Sequence, residues 1–269
     1  ESGDDEVNGW LACAAVQVAS GWPTNEIADS YSSAINAAAA AADIGQVTKD
    51  CVPLEAYLSL AKLLLGMGSF DDALKVAVDC CAVYPHASAA YLVAGVCCLR
   101  LDRSTDAEDA LQEANLLDNR NPEVWAFLSL LCNKLGPARA EEADASLRQA
   151  LRLGLSNASL LRELATAYVA LDRLAFAEDL VRRAASAEVV VSQTGKASAF
   201  TRKLLADVLA GQNQAAEAVN AYQDVIGDEV ADKQTRIDAG QAAVSLLQSL
   251  GRLEEMYQLN SILVQIRSS

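Results

Sequence analysis

Apolar residues recur along most of this chain at steps of three and four, the spacing that gathers them on one side of an α-helix. Trp10, Leu11, Ala14, Ala15 and Val18 follow it from Val7 onward. Gly21 and Pro23 break the run, Thr24 or Asn25 can cap a new helix, and Ile27, Ala28, Tyr31 and Ile35 resume the pattern. Apolar runs and short polar breaks then alternate through the rest of the chain. The pattern predicts helices joined in pairs by tight turns.

Those pairs recur with a period. In residues 88–121 an aromatic stands at the fourth place (Tyr91), Gly95 at the eighth, Ala107 at the twentieth and Ala114 at the twenty-seventh. These offsets resemble the tetratricopeptide repeat, a two-helix hairpin of roughly 34 residues. The small residues fall where the first helix (A) must touch the second (B). Residues 54–87 match, with Tyr57, Leu60, Ala61 and Leu64 in helix A, a turn at GSFDDA and Pro85 near the end. Residues 122–157 match with Trp125, Leu128, Cys132, Ala143, Leu147 and Ala150, although the turn GPARAEEA is two residues longer. A surface turn absorbs such an insertion at little cost. Residues 158–191 restore the spacing with Leu161, Leu164, Ala165, Tyr168, Ala177 and Ala184.

Weaker matches are expected at 199–232 and 237–269, a divergent hairpin at 7–46, an acidic linker at 1–6, a connector at 47–53 after Gly45, and a longer loop at 189–198 (VVVSQTGKAS). The resemblance implies an all-α fold, a right-handed α-α superhelix of about seven hairpins with the A helices lining its concave face. Each hairpin buries its apolar stripe only against its neighbours.

Composition fits this. Hydrophobic residues make up 52% of the chain but aromatics only 5%, so Ala and Leu, both strong helix formers, supply most of the apolar content. The net charge of −15 argues against a nucleic-acid partner, because such a chain repels a phosphate backbone. Residues 1–60 carry nine acids against Lys49 alone, whereas 139–203 carry ten basic groups against eight acids. An acidic end and a near-neutral middle could orient the array on a partner. No apolar run is of membrane-spanning length, so no membrane partner is expected. The seven cysteines are odd in number and follow no secretory segment, which favours a reducing compartment. The chain begins at Glu1 rather than Met, and a segment of a longer polypeptide is expected.

Catalytic patterns are missing. The sole histidine, His86, stands beside Pro85 in an inter-repeat turn with no serine context to make it a catalytic base. QTGKAS resembles half of a phosphate-binding loop but has Val190 and Ala197 where that motif needs Gly and Ser or Thr. The doublets Cys80-Cys81 and Cys97-Cys98 lack the spacing of a zinc site, and Cys80, Cys98 and Cys132 take core places of their repeats. No enzyme activity, cofactor or metal is expected.

Binding is the reading left. Helix A positions that commonly face the groove of this repeat give Leu58, Lys62, Leu92, Val96, Leu99, Arg100, Leu130, Asn133, Lys134 and Arg162 as candidate partner-binding residues. They predict an apolar floor with scattered basic groups, suited to an amphipathic helix or extended peptide. The same apolar residues could instead pack between neighbouring A helices. A clamp for a C-terminal carboxylate is not supported, since Leu58, Val93, Val96 and Phe127 stand where its polar groups would be.

A narrower resemblance lies in AEDALQEAN (107–115), NPEVWAFLSLLC (121–132) and LRLGLSNASLL (151–161). Together they resemble the C-terminal repeats of the cilia- and flagella-associated protein 70 family. That resemblance implies a non-enzymatic axonemal protein of motile cilia, part of a large assembly, docked to other axonemal proteins and tied to dynein-arm or central-apparatus function. The chain departs from it in the inserted turn at 136–142 and after Val189. A different class of reading is a cytosolic adaptor that recruits chaperone or transport machinery by binding peptide tails.

Overall fold

A computed structural model describes residues 2–43, 52–192 and 195–268, and every regular element among them is helical. The chain divides into two compact units, Glu1–Leu153 and Gly154–Ser269. The first holds α1 (Ser2–Ala19) with α2 (Thr24–Asp43), α3 (Leu54–Gly66) with α4 (Phe70–Val83), α5 (Ser88–Arg100) with α6 (Ser104–Leu117), and α7 (Pro122–Leu135) with α8 (Ala140–Arg152). The second holds α9 (Ala158–Ala170) with α10 (Leu174–Val191), α11 (Ala199–Gly211) with α12 (Ala215–Ile226), and α13 (Lys233–Ser249) with α14 (Leu253–Ser268). Each odd helix packs on the even helix that follows it. This is the all-α hairpin fold that the period predicts.

Small side chains let the two helices of a hairpin meet. The twentieth place of five repeats holds Ala73, Ala107, Ala143, Ala177 and Ala218, all 0% exposed, so the helices touch there. Gly95 marks the tightest crossing of the first unit: a Cβ on it would stand 2.7 Å from Leu111 Cγ and 3.3 Å from the Leu111 backbone nitrogen. No larger residue fits without moving α6.

Turn chemistry sets the reversal. The fifteenth place holds Gly68, Asp102, Gly136, Asp172 and Asn213, with φ of 81°, 59°, 105°, 57° and 62°. A left-handed residue after a helix ends it and turns the chain back, and Gly, Asn and Asp adopt that conformation most readily. At the other boundary the side chains of Asn121, Asn157, Ser198 and Asp232 accept backbone N–H groups of the helices they precede, those of Glu123, Leu160, Thr201 and Thr235. Pro122 takes the first turn of α7, where its missing N–H leaves no bond unmade.

Three boundaries differ from the sequence expectation. Helix α1 already starts at Ser2, so the acidic stretch set apart as a linker enters the helix. Helix α10 runs through Val189, Val190 and Val191 to a cap at Ser192, so the loop expected from Val189 onward is shorter. Its β-branched residues lower helix propensity by only a few tenths of a kcal/mol each. Against that, Glu188 in the last turn is held by Arg162, the Ser198 N–H and the Thr201 hydroxyl. The last hairpin begins at Lys233 rather than Ile237, because Asp232 caps it. The connector expected at 47–53 lies outside the described residues up to Cys51, as do Gly45 and, in QTGKAS, Gln193 and Thr194.

One helix is surrounded by four others. Helix α5 packs against α3, α4, α6 and α7. Leu92 through Leu99 are all buried, as expected of a helix that is apolar all round.

Candidate functional site

The ten candidate groove residues fall into three groups. Leu92, Val96, Leu99, Leu130 and Asn133 are buried, the four apolar ones at 8%, 5%, 5% and 7% exposure. An incoming peptide therefore does not meet a floor of leucines. Helix α5 touches both α3 and α7, so its A-face side chains are taken up between neighbouring A helices. Leu58 and Arg162 are half-buried. Lys62, Arg100 and Lys134 are exposed.

Several of the polar candidates already have structural partners. Lys134 Nζ donates to the Leu99 carbonyl at 3.0 Å and pairs with Asp102, tying the end of α7 to the end of α5. A cation there also meets the negative end of the α5 dipole. Arg162 pairs with Glu188, donates to Thr201 Oγ1 at 3.3 Å and lies over the Phe200 ring, 5.7 Å from its centroid. Glu188 accepts in addition from the Ser198 N–H at 2.8 Å and the Thr201 hydroxyl at 2.9 Å. The cluster pins the end of α10 to the start of α11, so Arg162 acts within the fold. Asn133 has neither amide atom hydrogen-bonded, and both atoms are covered. Leaving such a group unsatisfied costs about 1–3 kcal/mol.

Five of the described thiols are shifted away from nucleophilic chemistry. Burial pushes Cys80 and Cys81 up to about 11 and Cys97 up to about 12, and raises Cys98 and Cys132 as well. A reactive cysteine needs the opposite shift. Among the described residues no group of three or more His, Cys, Asp or Glu side chains could hold a metal ion. No helix of the described residues is long and apolar enough to cross a membrane.

One recurring polar position escaped the sequence reading. The sixteenth place, directly after the left-handed turn residue, is Arg103, Arg139 (allowing for the two-residue insertion) and Arg173. Arg103 bonds Asp106 at 2.7 Å. Arg139 bonds Glu142 at 2.9 Å and reaches back to Glu108 on α6 at 2.8 Å. Arg173 lies over Tyr168 and Phe176, 5.3 Å and 4.7 Å from their centroids. The period could have revealed the arginines and their partners three residues on; Glu108, on α6, is the one partner far away in sequence.

Known proteins match both the fold and the narrower sequence likeness. The C-terminal part of a tetratricopeptide-repeat protein from Cytophaga hutchinsonii covers 91% of this chain and 95% of its own at 13% identity, with a TM-score of 0.63. PilF of Pseudomonas aeruginosa covers 79% and 91% at 16% identity, with a TM-score of 0.57. At these identities the likeness speaks for the fold alone. The human and Macaca fascicularis cilia- and flagella-associated protein 70 are each 38% identical over 110 residues, 41% of this chain. The match spans 10% and 11% of those proteins' own lengths. The family model described as the cilia and flagella-associated protein 70 C-terminal domain matches residues 1–243, nearly the whole hairpin array, and the chain belongs to that family.

Proposed function

We propose that the chain is a non-enzymatic interaction scaffold of the motile-cilium axoneme, which docks dynein-arm or central-apparatus complexes to one another and so supports beating. The observation that carries this is the family match across residues 1–243 on an array of helical hairpins. Such arrays present extended surfaces for protein binding. Within the first unit the docking face is the row of A helices α3, α5 and α7, which exposes Lys62 and Arg100, with Leu58 half-buried on α3. These basic groups on an acidic chain suit an acidic peptide or the polar rim of an amphipathic helix.

The test is axonemal retention. The tagged chain, expressed in ciliated cells, is expected to stay with axonemes after detergent extraction. Lys62→Glu with Arg100→Glu should reduce the retained fraction about tenfold while helicity is unchanged, because both side chains are exposed. Retention of the double variant at the wild-type level would remove the A-helix face from the reading. Release of the wild-type chain by detergent, with capture by acidic C-terminal peptides, would favour a cytosolic adaptor instead.

A further inference from the structure

Helices α4 and α6 stand on either side of a cleft of about 460 Å³ whose floor is α5. Leu74, Val78 and Cys81 line it from α4, Tyr91, Ala94 and Cys98 from the floor. Asp106, Asp109 and Glu113 line it from α6, with Arg103 at one end. This is the B-helix side of the unit, distinct from the A-helix face.

The repeats themselves show why this cleft is open. The next pair of B helices, α6 and α8, is bridged by Arg139 at the N-cap of α8, which holds Glu108 on α6 while bonding Glu142 on α8. Arg103 stands at the same repeat place one hairpin earlier and also bonds an acid three residues on. The α4 residue at the place of Glu108 is Leu74, which offers Arg103 no carboxylate. Four residues on, Val78 is 54% exposed where the other four repeats carry Gln112, Arg148, Arg182 and Gln223. A long polar side chain would cover the slot. Valine leaves it apolar and open.

Electrostatics selects the occupant. Three carboxylates line the α6 wall against the single cation Arg103. We infer that the α4–α6 cleft is a second docking surface, for a basic amphipathic segment of another protein that inserts an aliphatic side chain over Val78 and Leu74 and sets Lys or Arg against Asp109 and Glu113. Helix-in-groove recognition works in this way, with apolar anchors for affinity and flanking charge for orientation. The surface is independent of the A-helix face.

Cys81 provides a local reporter, since it lines the cleft half-exposed and, although burial raises its thiol, is still alkylated slowly at mildly alkaline pH, and Cys13 is an exposed thiol elsewhere. A short fluorescent amphipathic helix of leucine and lysine is titrated into the full chain at physiological salt, with alkylation of Cys81 and Cys13 followed by mass spectrometry. The peptide is expected to bind and to slow Cys81 alkylation several-fold while leaving Cys13 unchanged. Val78→Lys and Asp109→Lys should each weaken binding about tenfold with helicity intact, and Lys62→Glu with Arg100→Glu should leave it unaltered. Binding that survives Val78→Lys without protecting Cys81 would be diffuse charge attraction and would overturn the proposal. Equal binding of a leucine–glutamate helix would do the same. Concentration-dependent protection of Cys81 in the chain alone, abolished by Val78→Lys, would make a second copy the occupant and also overturn it.

Discussion

Helices α5 and α14 begin from similar hairpins and end with different surfaces. Each packs across a glycine: Gly95 of α5 meets Leu111, and Gly240 of α13 would set a Cβ 2.9 Å from Leu263 Cγ on α14. Yet α5 is enclosed by α3, α4, α6 and α7, whereas α14 packs chiefly on α13. Helix α14 buries Leu259, Leu263 and Ile266 but leaves Leu253, Tyr257, Ile262 and Val264 exposed, Tyr257 at 67%. In a repeat fold the fate of an apolar side chain depends on how many neighbours its hairpin has as much as on its own place in the repeat.

The largest expected effect tests that directly. Leu92→Asp puts an unpaired charge among the helices around α5 and should cost about 3–5 kcal/mol or unfold the first unit. Tyr257→Asp on α14 should change stability by no more than about 0.5 kcal/mol. Urea denaturation followed by circular dichroism reads both, and similar costs would dissolve the contrast. For the same reason Leu92→Asp is a poor probe of partner binding, since it acts first on the fold.

The two glycines offer a subtler pair. Gly95→Val overpacks against Leu111 Cγ and its backbone nitrogen, for an expected loss of about 1–3 kcal/mol. Gly240→Val meets only the Leu263 side chain on a less enclosed helix, which can yield, and should cost less. A greater loss at Gly240 would show that the terminal hairpin is the more rigid one.

Polar contacts sharpen the comparison from the other side. In the second unit Glu188→Ala removes the group that accepts from Arg162, Ser198 and Thr201 at once. It should destabilise by about 1–3 kcal/mol and increase hydrogen exchange at the start of α11. Asp228 is held below its ordinary range chiefly by its hydrogen bond to Arg202. A depressed carboxylate contributes stability above its unfolded-state value, near 4, and loses it as pH falls through the folded value. The stability gap between the wild type and Asp228→Asn should therefore be present at neutral pH and close below about pH 4. The α5 core, with no such group, should show no matching step.

The fold was legible because the repeat writes its contacts at fixed offsets. Ala61, Gly95, Ala165 and Ala206 at the eighth place, and the alanines at the twentieth, are small for a reason that one helix crossing explains. The candidate groove was less legible. Leu92, Val96 and Leu99 sit at places that face the groove in a single hairpin, but small neighbours such as Ala90 and Ala126, both 0% exposed, let adjacent A helices close over them. That closure depends on interhelical distance, which sequence offsets do not encode. A local hint existed, since Leu92 through Leu99 are apolar on every side and so mark an enclosed helix. The α4–α6 cleft was hidden for a related reason. Leu74 and Val78 become informative only once Arg139 is seen to bridge the next pair of B helices.

The uneven enclosure of these hairpins also bears on mechanical load. A hairpin pulled free of its stack and drawn straight adds roughly 110 Å of chain, at about 3.3 Å for each of its ~34 residues. Within these residues the two outer hairpins, α1 with α2 and α13 with α14, have fewer neighbours and would yield at lower force than the hairpin around α5. Under tension the array would lengthen in steps and keep its α5 region folded longest.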